Sequence, residues 1–287
     1  MPAHVILLDG GLSTALEELG ARLDTSLWSG ELLRTHRNQI RAAHKSFVDA
    51  GAKILITSSY QITYPGCIAR GWTHDEVTDA LRASTELARF DGVKVAASVG
   101  PYGAYLADGS EYRGNYGLSR EELKEFHRDR LRVLIASQPD YLAIETIPEL
   151  TEAKAILDLL VELDSTIPFW ISFSCRNESE LSSGESFSET ALLVTGAKNS
   201  VGVGINCTAP ILIAPLMKSV AEGTPFVLYP NSGREWDALN KRWLGEQSTA
   251  FTPAQIQEWE SLGARIIGGC CGVGPSDIAV LNNFIQQ

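Results

Sequence analysis

Cysteine is scarce in this sequence, with five in 287 residues, an odd and widely scattered set. Such a set does not make the disulfide framework of a small secreted domain, so the thiols are expected to stay reduced and open to metal ligation or nucleophilic chemistry. Basic residues are in deficit: 24 Lys and Arg stand against 35 Asp and Glu, a formal net charge of -11. A polyanion partner needs a basic face, which argues against nucleic acid. Long apolar runs are missing too. Val5-Leu8 and Ile211-Leu216 are among the longest, far below the roughly 20 residues that span a bilayer. The amino terminus carries no signal-peptide pattern, and we expect a cytoplasmic protein without a membrane partner. No G-x-G-x-x-G follows the first apolar run, which counts against a dinucleotide-binding open sheet. None of the five histidines falls at the end of an apolar run, so neither a His-zinc site nor a Ser-His pair is expected. His44, His74 and His127 read as helix residues with structural or solvated roles.

What the chain does have is a repeating plan. Eight short apolar runs recur: Val5-Leu8, Lys53-Thr57, Val93-Ser98, Tyr141-Glu145, Phe169-Ser174, Val201-Asn206, Phe226-Tyr229 and Ala264-Ile267. Runs with little alternation suit strands covered on both faces, and such sheets are mostly parallel. Helical patterns separate them. Thr73 with Glu76, and Ser119 with Glu122, read as capping boxes. Thr151 to Leu163 is amphipathic, and Thr252-Pro253 opens a helix that Gly263 closes. Eight such units without a composition break predict an α/β fold, a single-domain (β/α)8 barrel over residues 1–287, with the active site where the strands end. The segments Gly100-Leu118 and Asn231-Thr252 read as irregular loops overhanging that face.

Three of the cysteines fall on the same rim. Cys207 follows Gly204-Ile205-Asn206 at the end of the sixth run, and Cys270-Cys271 follows Gly268-Gly269 at the end of the eighth. Two strand steps, about 10 Å, can be bridged by inward side chains and Zn–S bonds of about 2.3 Å. Adjacent strand residues point to opposite faces, so Cys270 and Cys271 can share an ion only where the backbone has left β geometry, as the flanking glycines permit. Three thiolates leave tetrahedral zinc one open position, the mark of a catalytic site. A tight turn with two small buried residues, or a Cys270-Cys271 vicinal disulfide, are the competing readings of the pair. Cys175, after the fifth run, is an alternative ligand, though it and Cys67 read as structural. Asp9 and Glu145 lie at strand ends, where loop capping is the plain reading and a paired seat for a cationic amine the sharper one. A glycoside hydrolase would use such carboxylates but would leave the cysteines without a task.

At these residues the chain resembles the homocysteine S-methyltransferase family of zinc-thiolate barrels. The likeness runs through nearly the whole length. It rests on Leu7-Leu8-Asp9-Gly10-Gly11, Ser26-Leu27-Trp28, Thr57-Ser58-Ser59-Tyr60-Gln61, Ser98-Val99-Gly100-Pro101-Tyr102-Gly103-Ala104-Tyr105-Leu106, Glu145-Thr146, Gly204-Ile205-Asn206-Cys207, Tyr229-Pro230-Asn231-Ser232-Gly233 and Gly268-Gly269-Cys270-Cys271. The run Ala107-Asp108-Gly109-Ser110-Glu111-Tyr112-Arg113-Gly114 resembles the S-methylmethionine or S-adenosylmethionine branch rather than the betaine branch. The resemblance implies that Cys207, Cys270 and Cys271 bind Zn2+ and that Asp9 and Glu145 receive the amino group of L-homocysteine near Gly10 and Thr57. It also implies methyl transfer from a sulfonium donor to that thiol, giving methionine. Trp28, Tyr60, Tyr102, Tyr105 and Tyr112 are candidates for aromatic walls, and Asn206 and Asn231 for orienting the reactants. One departure is Gly272-Val273-Gly274-Pro275, where many relatives carry a basic residue and threonines; amides near Ser276 are the expected substitute. Methylation of selenocysteine or another small thiol, a non-catalytic zinc sensor or store, and a metal-free lyase or aldolase using Asp9 and Glu145 are the alternatives. Nothing in the sequence reads out an oligomeric state.

Overall fold

The computed structural model describes residues 5–23, 25–233, 235–237, 242–244 and 251–286. Its strands are β1 (Ile6–Leu7), β2 (Ile54–Ile56), β3 (Lys94–Val99), β4 (Tyr141–Ile147), β5 (Phe169–Phe173), β6 (Ser200–Asn206), β7 (Phe226–Tyr229), β8 (Glu235–Asp237), β9 (Arg242–Leu244) and β10 (Ala264–Ile267). Eight of them form one parallel sheet in the order β1-β10-β7-β6-β5-β4-β3-β2. The sheet closes on itself: Leu8 bridges Ile54 in parallel, and the Lys53 and Asp9 amides donate to the Leu7 and Ile54 carbonyls. Helices connect successive strands, so the fold is the expected (β/α)8 barrel.

Alternation along each strand explains why the runs looked uniformly apolar. Leu8, Ile54, Ala96, Ala143, Trp170, Val227, Tyr229 and Ile266 point inward and form one buried cluster. Their neighbours Leu7, Leu55, Val95, Leu142, Ile171, Phe226, Leu228 and Ile267 point outward, under the helices, in the larger core. Small Ala96 and Ala143 leave room for the indole of Trp170, so the barrel is filled rather than hollow.

The capping boxes at Thr73, Ser119 and Thr252 are all present, opening helices His74–Leu87, Arg120–Ala136 and Pro253–Ser261. Two expectations need correction. Gly100-Leu118 is only partly irregular: it holds the helix Tyr102–Leu106 and the 3-10 turn Ser110–Tyr112, with irregular chain between and after them. Within 231–252, β8 and β9 pair antiparallel; residues 234, 238–241 and 245–250 of that expected substrate loop lie outside the described residues. Among the described residues, no helix is long and apolar enough to cross a membrane.

Candidate active site

The strand ends open into a cavity of about 700 Å³ whose wall includes Gly10, Trp28, Thr57, Tyr60, Glu145, Cys207, Cys270 and Cys271. Backbone geometry brings the three sulfurs together. β6 ends at Asn206, and Cys207 turns into the left-handed region at φ +46°, an uncommon conformation for a non-glycine residue that swings its side chain off the strand. β10 ends at Ile267, three residues before Cys270, so the pair has left β geometry as expected; Gly272 completes the turn at φ +78°. Main-chain bonds lock the loop, with Cys270 N donating to Pro230 O at 2.8 Å and Ser232 N to Cys271 O at 3.0 Å.

The thiol groups of Cys207, Cys270 and Cys271 all lie within 4.8 Å of one another. The Cys207 and Cys271 sulfurs are 3.6 Å apart, and those of Cys270 and Cys271 3.9 Å. Tetrahedral ligands at Zn–S bonds of about 2.3 Å sit about 3.8 Å apart, so both separations suit one ion. Cys207 and Cys270, with Cα atoms 5.6 Å apart, are also placed within reach of a disulfide. A constellation tight enough for one ion brings two thiols within bonding reach. Burial, then the charges of Glu111 and Glu145, push the remaining Cys271 thiol up to about 12. A thiolate in so acidic a pocket needs a cation beside it, which is what a metal site supplies. The donor set therefore fits a soft divalent ion when all three thiols are reduced. Cys67 and Cys175 lie outside the cluster and are free.

The expected carboxylates are both buried. Asp9 is 1% exposed; its Oδ2 accepts from Ile56 N at 2.8 Å, while Oδ1 has no partner. Burial raises its pKa well above the usual range, and the Glu145 charge adds to this. Glu145 accepts from the Ser98 hydroxyl, and burial pushes it up to about 7 despite that hydrogen bond. Two neighbouring carboxyls, one with an unsatisfied oxygen, are poised to ionise around a cation. Asp9 stands behind the wall formed by Gly10, whereas Glu145 and Thr57 line the cavity directly. The Thr57 hydroxyl is already engaged by Ser59 and the Ser98 amide.

Asn206 does not line the cavity. It holds both ends of Thr146 at 2.8 Å, and its amide nitrogen reaches to 4.0 Å from the Cys270 sulfur. Asn231 serves its own loop, its side-chain oxygen accepting from Gly233 N. Trp28, Tyr60 and Tyr112 face the cavity, but Tyr102 and Tyr105 pack with Phe126 in a separate aromatic cluster. The helix Pro275–Ile285 begins outside the cavity wall, with Asp277 capping the Gly274 amide; the amides near Ser276 are not at the cavity. His127 is fully buried, as is His44.

Sequence reasoning gave no role to three residues the structure brings to the site. Tyr229 lines the cavity, donates to Ser172 Oγ at 2.6 Å and accepts from Trp170 Nε1 at 3.1 Å. Ser98 steadies Glu145. Glu111 lines the cavity at 5% exposure with Oε2 buried and unpartnered. The signal for Tyr229 was its place at a strand end; Glu111 had none beyond its motif.

A (β/α)8 barrel with a metal-capable trio of thiols at its strand ends, beside an acidic and aromatic cavity, has the layout of a barrel enzyme. The sequence model of the homocysteine S-methyltransferase family matches residues 6–285. Homocysteine S-methyltransferase 1 from Zea mays is 40% identical, over 98% of this chain and 94% of its own. Homocysteine S-methyltransferase YbgG from Bacillus subtilis is 42% identical, over 96% and 92%. The solved homocysteine methyltransferase MmuM from Escherichia coli aligns in its metallated form with TM-score 0.85 and 36% identity, covering 98% of this chain and 96% of that one. Its oxidized form aligns with TM-score 0.86 and 37% identity, over 97% and 95%. The chain belongs to the homocysteine S-methyltransferase family and is a methyltransferase.

Proposed function

We propose that this enzyme moves a methyl group from a sulfonium donor, S-methylmethionine or S-adenosylmethionine, to the thiol of L-homocysteine, with Zn2+ as its metal. The observation that carries the reading is the convergence of Cys207, Cys270 and Cys271 at a cavity that also presents Glu145. The whole chain acts as one barrel domain in the cytoplasm. Zinc held by the three cysteines would lower the pKa of a substrate thiol from about 8.5, supplying a soft nucleophile at neutral pH without a general base.

The chain's own residues do the rest. Asp9 and Glu145 ionise around the homocysteine ammonium, and Gly10 and Thr57 shape the wall beside it. Asn206 holds Thr146, next to Glu145, in register with Cys270, so the amine seat and the sulfur cluster keep a fixed spacing. The homocysteine sulfur gives its electron pair to the methyl carbon as the carbon–sulfur bond of the donor breaks. The pair of the broken bond stays on the donor sulfur, which leaves as a neutral thioether. The thiol proton goes to solvent, and methionine forms. Opposite charges cancel along this path, so a water-poor wall of Trp28, Tyr60 and Tyr112 favours the transition state over the reactants. Their faces also attract the donor cation by up to about 2 kcal/mol when dry.

The test is methionine formation from homocysteine by reduced, zinc-loaded protein offered S-methylmethionine, S-adenosylmethionine, betaine and methyltetrahydrofolate in parallel. The proposal expects turnover with one or both sulfonium donors and at most traces with the others. Preference for betaine or the folate, or zinc binding without turnover from any donor, refutes it.

A further inference from the structure

One buried cavity carboxyl remains without a task. Glu111 sits on the 3-10 turn Ser110–Tyr112, is 5% exposed, and keeps Oε2 buried with no partner. Burying an unpaired carboxylate is costly, so a side chain held this way calls for a ligand. Its placement is not loose. Ser174, just past the end of β5, donates its hydroxyl to the Glu111 carbonyl at 2.8 Å, and Ser182 backs Ser174 at 2.9 Å. Gly103 lets the preceding helix press against the turn; a Cβ there would come within 2.5 Å of the Glu111 amide. The turn is thus a fixed platform that presents Glu111 and Tyr112 to the cavity.

The charges around it set the kind of ligand. Of the ionisable side chains on the wall, Glu17, Glu111 and Glu145 are acidic and Arg22 is basic, with Asp9 behind them. Glu145 has a hydroxyl partner and a proposed role at the amine, whereas Glu111 has neither. Its charge is felt by the Cys271 thiol and by Tyr60 and Tyr112, which places it among the reacting sulfur and the aromatic wall. Burial pushes the Glu111 carboxyl up to about 7, so an incoming cation readily converts it to the ionised form.

We infer that Glu111 is the specificity-determining residue that recognises the positive charge of the methyl donor, selecting a sulfonium over a neutral molecule of the same shape. This rests on the proposed sulfonium chemistry and adds a residue to it. A carboxylate beside a sulfonium accepts no hydrogen bond from sulfur; the attraction is through space, strong only because the site is dry.

The experiment compares S-methylmethionine with 2-amino-5-methylhexanoic acid, in which CH replaces the sulfonium sulfur, as a competitive inhibitor. Wild type and Glu111→Gln are measured at matched zinc content. In E111Q the KM for S-methylmethionine should rise about tenfold or more, while the inhibition constant of the neutral isostere and the KM for homocysteine change less than about twofold. A second variant, Ser174→Ala, leaves the carboxyl in place but frees its platform. It should raise the donor KM alone, and it serves if E111Q does not fold. An unchanged donor-to-isostere ratio in both variants, or a rise in homocysteine KM instead, overturns the role of Glu111 while leaving the methyl-transfer reading intact. A wild type that turns over no sulfonium donor overturns both.

Discussion

At the scale of single residues, the site is built from groups that are uncomfortable when empty. Glu145 has its pKa raised to about 7, chiefly by burial. The folded carboxyl therefore holds a proton that the unfolded one, near 4.5, releases. Its contribution to stability is fully present below about pH 4.5 and is lost as pH rises through about 7. Glu145→Gln should raise the melting temperature of the empty protein at pH 8 and flatten that pH dependence, while lowering kcat/KM for homocysteine by about a hundredfold. Calorimetry and steady-state kinetics on the same preparation check both, and a variant that loses stability at pH 8 would refute the account of this residue. The cysteines were legible because thiols at the ends of two separate strands, all on one rim, are hard to account for by packing alone. Glu111 was not, because its burial comes from Gly103 and Ser174, contacts that no local pattern announces. Asn231 looked like a site residue only from its motif; its side chain closes its own turn.

At the scale of elements, helices were readable where the signal was local, as the three capping boxes were. The two helical turns within 100–118 were missed because tertiary bonds order that segment. Arg130, 1% exposed, donates to the Gly100 carbonyl and to His127, while Glu152 accepts from His127 at 2.8 Å and from the Tyr102 amide at 2.6 Å. Burial and the Arg130 charge keep His127 neutral, so Nδ1 accepts from the guanidinium and Nε2–H donates to the carboxylate. This buried trio ties the helix Arg120–Ala136 to the start of the segment that carries Glu111. Arg130→Met removes the donor to the buried Gly100 carbonyl and to His127 Nδ1, at about 1–3 kcal/mol for each group left unsatisfied. Urea unfolding should show that loss, and hydrogen exchange should show faster labelling of 100–118 than of the β4 amides. Equal changes across the barrel would deny the segment its dependence on the trio.

At the scale of the whole molecule, the count of eight apolar runs was enough to choose a barrel over an open sheet. What closes it is a single bridge, Leu8 to Ile54, between two of the shortest strands. Their inward residues gave no hint of that pairing, since Leu and Ile serve equally well at a sheet edge. Cys207 and Cys270 lie within disulfide reach just past β6 and β10, and a bond between them would occupy two of the three sulfurs that a metal needs. Oxidised protein should therefore take up little zinc, and reduction should restore uptake together with a rise in melting temperature that grows with free zinc. A melting curve indifferent to zinc after reduction would break that coupling.

The central claim is that three thiols share one ion, and its most direct measurement is zinc per chain by elemental analysis after reduction and dialysis. The wild type should hold one zinc, and Cys207→Ala, Cys270→Ala and Cys271→Ala should each lose most of it along with methionine formation. Full zinc retention in any one of these variants, or none in the reduced wild type, would contradict the account.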